Sequence, residues 1–256
     1  MNREQFLETE GALYNQLALQ VGEDARKRNG IFLPEVGSEY KIGEGLMILG
    51  RAARFGEDDY TYDDYVTSPR TQVEEIFSEQ LEWAEKDRGN QEGRYNPATS
   101  PFWRVIRKVS SKLYSEADWY KHIIYNNLYR VSADKNPADS LCYKQIETCG
   151  KLLYNEIAYF APKAVLCLTG MAWAQEVLEG VTDANDSFSL RGTCCEKSYL
   201  DETGVQMIVS RIIPWGDYEV SVVKSDMTTF LITEHPQGKP EDEHVEAILK
   251  ALDGRY

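Results

Sequence analysis

Leu46, Met47, Ile48 and Leu49 form an apolar run that stops at Gly50, and a polar loop rich in acids follows. A short apolar run closed by glycine is the mark of a strand buried on both faces. Three further segments have the same character: His122 to Ser132 (HIIYNNLYRVS), ending in the two asparagines Asn126 and Asn127; Lys163 to Gly170 (KAVLCLTG); and MTTFLITEHP, which ends at His235-Pro236. Between and around them the apolar residues recur at helical spacing. Phe6, Leu13, Leu17 and Val21, widened by Leu7 and Tyr14, predict an amphipathic helix over residues 3–28, ended by Gly30 and Pro34, with a short extended piece around Ile31 to Leu33. Ser68-Pro69 and Ser100-Pro101 read as caps with proline in the first turn. The helices they open would bury Val73, Ile76, Phe77 and Leu81 in one case, and Phe102, Ile106, Val109 and Leu113 in the other.

After the second strand, Pro137 with Asp139 or Ser140 opens a long helix with Cys142, Ile146, Cys149, Leu153, Ile157 and Phe160 inward, stopped by Pro162. Met171 to Leu178 is a short helix, and Pro240 opens a last one with Val245, Ile248, Leu249 and Leu252 inward and Gly254 past its end. Strand, helix, strand, helix at these lengths argues for crossover units and parallel pairing. The expected fold is a three-layer α/β/α sandwich on a four-stranded, mainly parallel central sheet. It forms a single domain over 1–256, with an N-terminal helix over 1–30 and a core over 43–252. TCCEKSYL, the turn DETG and VQMIVSRIIP read as an antiparallel hairpin inserted at about 183–226, either at the sheet edge or as a small lobe.

Composition changes this picture in two ways. The chain of 256 residues carries 42 acids against 28 bases, a formal charge of −14, so its overall field repels nucleic acid and anionic membranes at long range. No charged-then-apolar leader and no apolar run approaching the ~20 residues of a bilayer span occur in it, which predicts a cytoplasmic protein without a membrane partner. Five cysteines, three of them inside apolar patterns, indicate no disulfide framework.

The one basic stripe is Arg104, Arg107, Lys108 and Lys112, spaced three and four apart. It is either a solvated helix face or a set of phosphate contacts. The run from Glu57 to Tyr65 reads as an exposed acidic loop; it lacks the central glycine of a calcium loop. Cys194-Cys195 lacks the spacer of a zinc knuckle, and no metal or cofactor is predicted.

The strand ends carry a resemblance. ILGRAARFGED resembles the first motif of the uracil-DNA glycosylase-like superfamily, and YNNLYR is similar to its second-strand motif, in which an asparagine meets the base and a basic residue follows. QIETCGKLLYNEIAYFAPKAVLCLTGMAWAQEVL looks like that family's long helix, third strand and glycine turn, and FLITEHPQG resembles its last motif, His-Pro-Ser. The resemblance covers roughly residues 43–252 with gaps. It implies that Asn127 reads a nucleobase edge, that His235 donates to the uracil O2, and that Phe55 or Tyr60 stacks on the ring. It also implies that Gly50, Arg51, Ala52, Arg54, Asn126 and Pro236 lie around them.

Such enzymes hydrolyse the glycosidic bond of a flipped-out uracil. Where they carry Glu, Asp or Asn after the glycine, this chain has Arg51 and Ala52, and a cation there opposes a cation-like sugar in the transition state. Gln237 replaces the last-motif serine. The function expected is therefore binding of a nucleobase, a nucleotide-like ligand or DNA at the strand ends, with hydrolysis opposed by the first motif.

Plainer roles stand beside each of these. Asn126 and Asn127 would cap a turn, His235 would bond to backbone, and Arg51 and Arg54 would either clamp an anion or neutralise the adjacent acids. The alternative from another class is an inactive interaction domain whose contact surface is the tyrosine-rich loop 55–65; a third is a metal-dependent nucleotide or sugar-phosphate hydrolase.

Overall fold

The structure, a computed structural model, describes residues 1–22, 31–52, 62–78, 81–86, 95–114, 116–131, 139–183, 197–200, 206–225 and 227–253. The architecture is mixed α/β, a single sheet with helices on both faces. In chain order the elements are α1 (Arg3–Val21), β1 (Glu35–Val36), β2 (Leu46–Ala52), α2 (Tyr62–Thr67), α3 (Pro69–Glu74), α4 (Pro101–Leu113), β3 (Ile123–Tyr129) and α5 (Asp139–Phe160). Then follow β4 (Ala164–Leu168), α6 (Met171–Asp183), β5 (Lys197–Leu200), β6 (Gln206–Trp215), β7 (Tyr218–Lys224), β8 (Thr229–Thr233) and α7 (Glu241–Leu252).

The sheet order is β1-β3-β2-β4-β8-β7-β6-β5. The four central strands β3, β2, β4 and β8 pair in parallel, and the outer pairings are antiparallel. These four are the strands read from the apolar runs. Among the described residues the sheet nonetheless has eight strands rather than four, because β1 adds an edge beside β3 and the hairpin segment, lying at the sheet edge, adds three strands beside β8. β7 pairs along β8, β6 along β7 and β5 along β6, so the segment extends the sheet to its far edge. β7 escaped the pattern reading, although its Val220 and Val222 alternate with Glu219 and Ser221 after a Gly216-Asp217 turn. Gly216 adopts φ +53°, which a tight turn of this kind reserves for glycine.

β2 distributes its side chains in the period-two manner of a strand covered on both sides. Leu46 and Ile48 enter a core with Phe102, Ile106 and Val109 of α4 and with Ile248 and Leu252 of α7. Met47 and Leu49 enter a second core with Phe6, Tyr14 and Leu17 of α1, Cys149 and Leu153 of α5, and Val177 of α6. Among the described residues, no helix is long and apolar enough to cross a membrane. Cys142, Cys149 and Cys167 are buried and not in disulfides, and burial pushes the Cys149 thiol up to about 12. Cys194 and Cys195 lie outside the described residues.

Two sequence expectations change in the α1 region. The helix ends at Val21 with Gly22 as its cap, and its inward stripe contains a carboxylate. Glu10 occupies the slot four residues after Phe6 and four before Tyr14, and it is fully buried, while Leu13 is only partly so. The acid-tyrosine run also ends differently: 62–67 is helical, and Tyr65 is buried, its hydroxyl donating to the Ile31 carbonyl at 2.9 Å.

Glu10 belongs to a polar cluster enclosed between α1, α5 and β3. Arg130, at the end of β3, donates through Nη2 to both Glu156 oxygens at 2.8 and 2.6 Å, with both side chains fully buried. Asn126 donates to the same carboxylate at 2.7 Å, and Asn155 donates to Glu10 at 2.6 Å. The side-chain amide of Gln145 continues the backbone pairing past β3, accepting from the N–H groups of Arg130 and Val131 and donating to the Val131 carbonyl. Burial, and next the Glu156 charge, raise the Glu10 carboxyl well above its ordinary value, so it stays protonated where an exposed glutamate is ionised.

Arg130→Met leaves the Glu156 charge enclosed without its partner. It is expected to cost about 3–5 kcal/mol in urea unfolding, part of which Glu156→Leu in the same chain restores. Glu10→Gln addresses the proton. The unfolded chain releases it near 4.5 while the folded chain keeps it, so its contribution to stability is complete at acid pH and is lost as pH rises through the folded value. Urea unfolding across about pH 5 to 9 is expected to show the wild type declining on the alkaline side and the Gln variant holding level.

Candidate functional site

Gly50 stands opposite Asn127 in the parallel β2/β3 ladder. Its missing side chain is what the site is built around. A Cβ at position 50 would come within 2.6 Å of Asn127 Oδ1 and 3.4 Å of Phe102 Cζ, so the asparagine amide and the phenyl ring share the space over that glycine. Phe102 is placed by the first turn of α4, which Pro101 opens and where the Arg104 N–H closes onto the Ser100 carbonyl. Tyr125, two residues before Asn127 and therefore on the same face of β3, engages the amide through its hydroxyl. It donates to Oδ1 at 3.4 Å and accepts from Nδ2 at 3.2 Å. Both bonds are long, so a ligand could replace them at little cost.

His235 enters on the same face from two residues beyond β8, the strand on the far side of β4 from β2. Its ring lies 13° from parallel to Phe102 with centroids 5.9 Å apart. That is offset stacking, closer than the ~7 Å two rings need to sandwich a third. The Gln237 N–H donates to Nδ1 at 3.2 Å, so the ring's proton sits on Nε2. Desolvation, and then the Lys239 charge, hold its pKa below the ordinary 6.5, which keeps it a neutral donor. Lys239 fixes the turn by donating to the His235 carbonyl at 2.9 Å, its ammonium 5.1 Å from the Tyr218 ring centroid, and Pro236 is buried behind.

Beneath them Thr233, the last residue of β8, hydrogen-bonds His244 Nε2 at 3.0 Å. The His244 ring stacks at 3.9 Å on Trp215, and burial pushes its pKa down to about 4. A buried neutral pair thereby anchors the end of the strand that carries His235.

No family model matches this chain, and no curated protein matches it. The site rests on its own geometry.

Several residues expected in it face elsewhere. Arg51 alternates with Gly50 along β2 and projects to the opposite face, its guanidinium carbon 3.5 Å from the Trp173 ring centroid on α6. Ala52 packs against the same core as Trp173. Asn126 alternates with Asn127 and turns inward to Glu156, and the basic residue of the second motif, Arg130, is enclosed in the same cluster. Asn126 and Asn127 do not end their strand; β3 runs on to Tyr129. Arg54, Phe55 and Tyr60 lie outside the described residues, and the ring found beside Asn127 and His235 is Phe102.

The basic stripe of α4 is matched by acids. Arg104 pairs with Glu241 at 2.8 Å, Lys108 with Glu241 and Asp242 at 2.7 Å each, and Arg107 with Glu85 at 3.0 Å, while Lys112 occupies the last turn of α4.

The convergent groups are a side-chain amide that both donates and accepts, a neutral imidazole donor, a phenol and a phenyl ring. That set suits a planar heterocycle with adjacent donor and acceptor atoms. Among the described residues, no group of three His, Cys, Asp or Glu side chains is placed to hold a metal ion. A cavity of about 350 Å³ lined by Val36, Tyr40, Phe77, Tyr159 and Phe160 lies at the other end of the strands, where it meets none of these polar groups.

Phe102 was legible only as a core position of its helix. Tyr125 follows from Asn127 by the period of two, whereas nothing in the sequence pairs Thr233 with His244. Gly50→Ala is expected to push the Asn127 amide from its place. A loss of about 1–3 kcal/mol in urea unfolding, with the fold retained by circular dichroism, is the outcome that checks it.

Proposed function

We propose that this protein is a divergent relative of the uracil-DNA glycosylase-like superfamily, a three-layer sandwich that binds a nucleobase or nucleotide-like ligand at the C-terminal ends of its parallel strands. The observation that carries the reading is that Asn127 and Phe102 both close in on Gly50 while His235, from the end of β8, stacks on Phe102. The spatial order of the parallel strands, second-first-third-fourth by sequence, has its switch point between β2 and β4, beside the end of β2 that carries Gly50, and supports a ligand site there. Asn127 supplies an acceptor and a donor for a base edge, His235 a neutral Nε2–H for a carbonyl oxygen, and Phe102 an aromatic surface.

Hydrolysis is not part of the reading. Arg51, standing where such enzymes carry the first-motif acid or asparagine, is stacked on Trp173 across the sheet. Asn127 is only 1% exposed, so the ligand meets His235 first and must take the place of Tyr125 to reach the amide. The same closure favours a second reading, an interaction domain that kept the fold and lost the site.

Titration with uracil and uridine separates the two. Binding is expected, with His235→Ala and Asn127→Ala each weakening it about tenfold, the worth of one hydrogen bond. Uracil release from single- and double-stranded DNA is expected to be undetectable. If neither substitution changes the affinity, the pocket assignment fails.

A further inference from the structure

We infer that the strand-end site takes an uncharged ligand, a free nucleobase or nucleoside, rather than a nucleotide or a nucleic-acid strand. This rests on the reading of that site as a nucleobase pocket and names its substrate class.

Among the described residues, the polar groups brought beside Gly50 and Phe102 are uncharged: the Asn127 amide, the Tyr125 hydroxyl that bonds it, and the His235 imidazole stacked on Phe102, whose Nδ1 accepts a backbone N–H. A phosphate bound beside them would need a cation, and the described cations nearby are engaged elsewhere. Lys239 donates to the His235 carbonyl and lies over Tyr218. Arg51 is on the opposite face of the sheet against Trp173. On α4, which carries Phe102 into the site, Arg104 and Lys108 meet Glu241 and Asp242, Arg107 meets Glu85, and Lys112 lies in the last turn, about 15 Å along the helix from Phe102.

Exposed ion pairs of this kind are weak, about 0–1 kcal/mol each, so a phosphate could break them. It would still feel the carboxylates, which remain in place, and Glu243 adds a further acid to the first turn of α7. The sequence that follows β2 carries one arginine, Arg54, against Glu57, Asp58 and Asp59, and the whole chain carries −14. Polyanion binding depends on cations that neutralise phosphates and release counterions. Here a phosphate meets a carboxylate beside each of Arg104, Arg107 and Lys108, while a base edge meets uncharged donors and acceptors.

Isothermal titration of the full chain with uracil, uridine, uridine monophosphate and a short uracil-containing DNA strand, at about 50 and about 300 mM salt, tests this. Uridine is expected to bind at least about threefold more tightly than its monophosphate at the lower salt, the gap closing as salt screens the rim acids. Uridine's own affinity should not move. Glu241→Gln with Asp242→Asn is expected to leave uridine binding as it is and to raise affinity for the DNA strand, with a salt dependence the wild type lacks.

Tighter binding of the monophosphate or the strand than of uridine, falling with salt, overturns the inference and leaves the nucleobase reading standing. A double variant with unchanged strand affinity overturns it as well. If none of the four compounds binds the wild type, the nucleobase reading itself fails and takes this inference with it.

Discussion

The strand β2 has to be buried on both faces at once, and most of the molecule follows from that requirement. It lies between β3 and β4 in parallel pairing, so its backbone groups are satisfied on both edges, and its alternate side chains feed two separate cores. Parallel pairing forces the chain to return across the sheet between strands, and the returning segments are the helices that cover the two faces. α4 and α7 close one face; α1, α5 and α6 close the other. The same alternation acts at the strand's end. Gly50 faces the side on which Phe102 and His235 gather, and Arg51, one residue on, must face the other.

The two faces differ in what they enclose near the strand ends. One buries an ion pair and a protonated carboxyl: Arg130, Glu156 and Glu10, supported by Asn126, Asn155 and Gln145. Charges taken out of water are tolerated only when paired and hydrogen-bonded, so this cluster fixes how α1 seats against α5 and β3. The opposite face gathers neutral polar groups around an aromatic ring and leaves one of them, His235, half-buried. Neighbouring residues of a single strand, Asn126 and Asn127, thus serve unlike purposes. One completes the interior cluster, and the other turns its amide to the opposite face, over Gly50 and against the Tyr125 hydroxyl.

The charges outside the crevice are organised too. The acids that open α7 favour the positive end of its helix dipole and meet the cations of α4, which ties together the two helices on that face. Three members of what reads as a basic stripe in one dimension, Arg104, Arg107 and Lys108, are ion-paired in three.

The amino-acid sequence alone determined the four parallel strands, the helices after Ser100 and Pro240 and the long helix that Pro162 stops, and it singled out Gly50 and Asn127, which the parallel ladder sets opposite each other. Apolar periodicity and turn residues act locally, so these features survive being read without coordinates. Only the tertiary structure decided that the hairpin continues the sheet, because pairing partners are chosen across the chain. It also decided that Arg51 and Asn126 face away from the crevice while Phe102 and Tyr125 enter it. The direction of a side chain depends on which face of the strand meets which helix, and Glu10 could be recognised as interior only once Asn155 had been brought to bond it beside the Arg130–Glu156 pair.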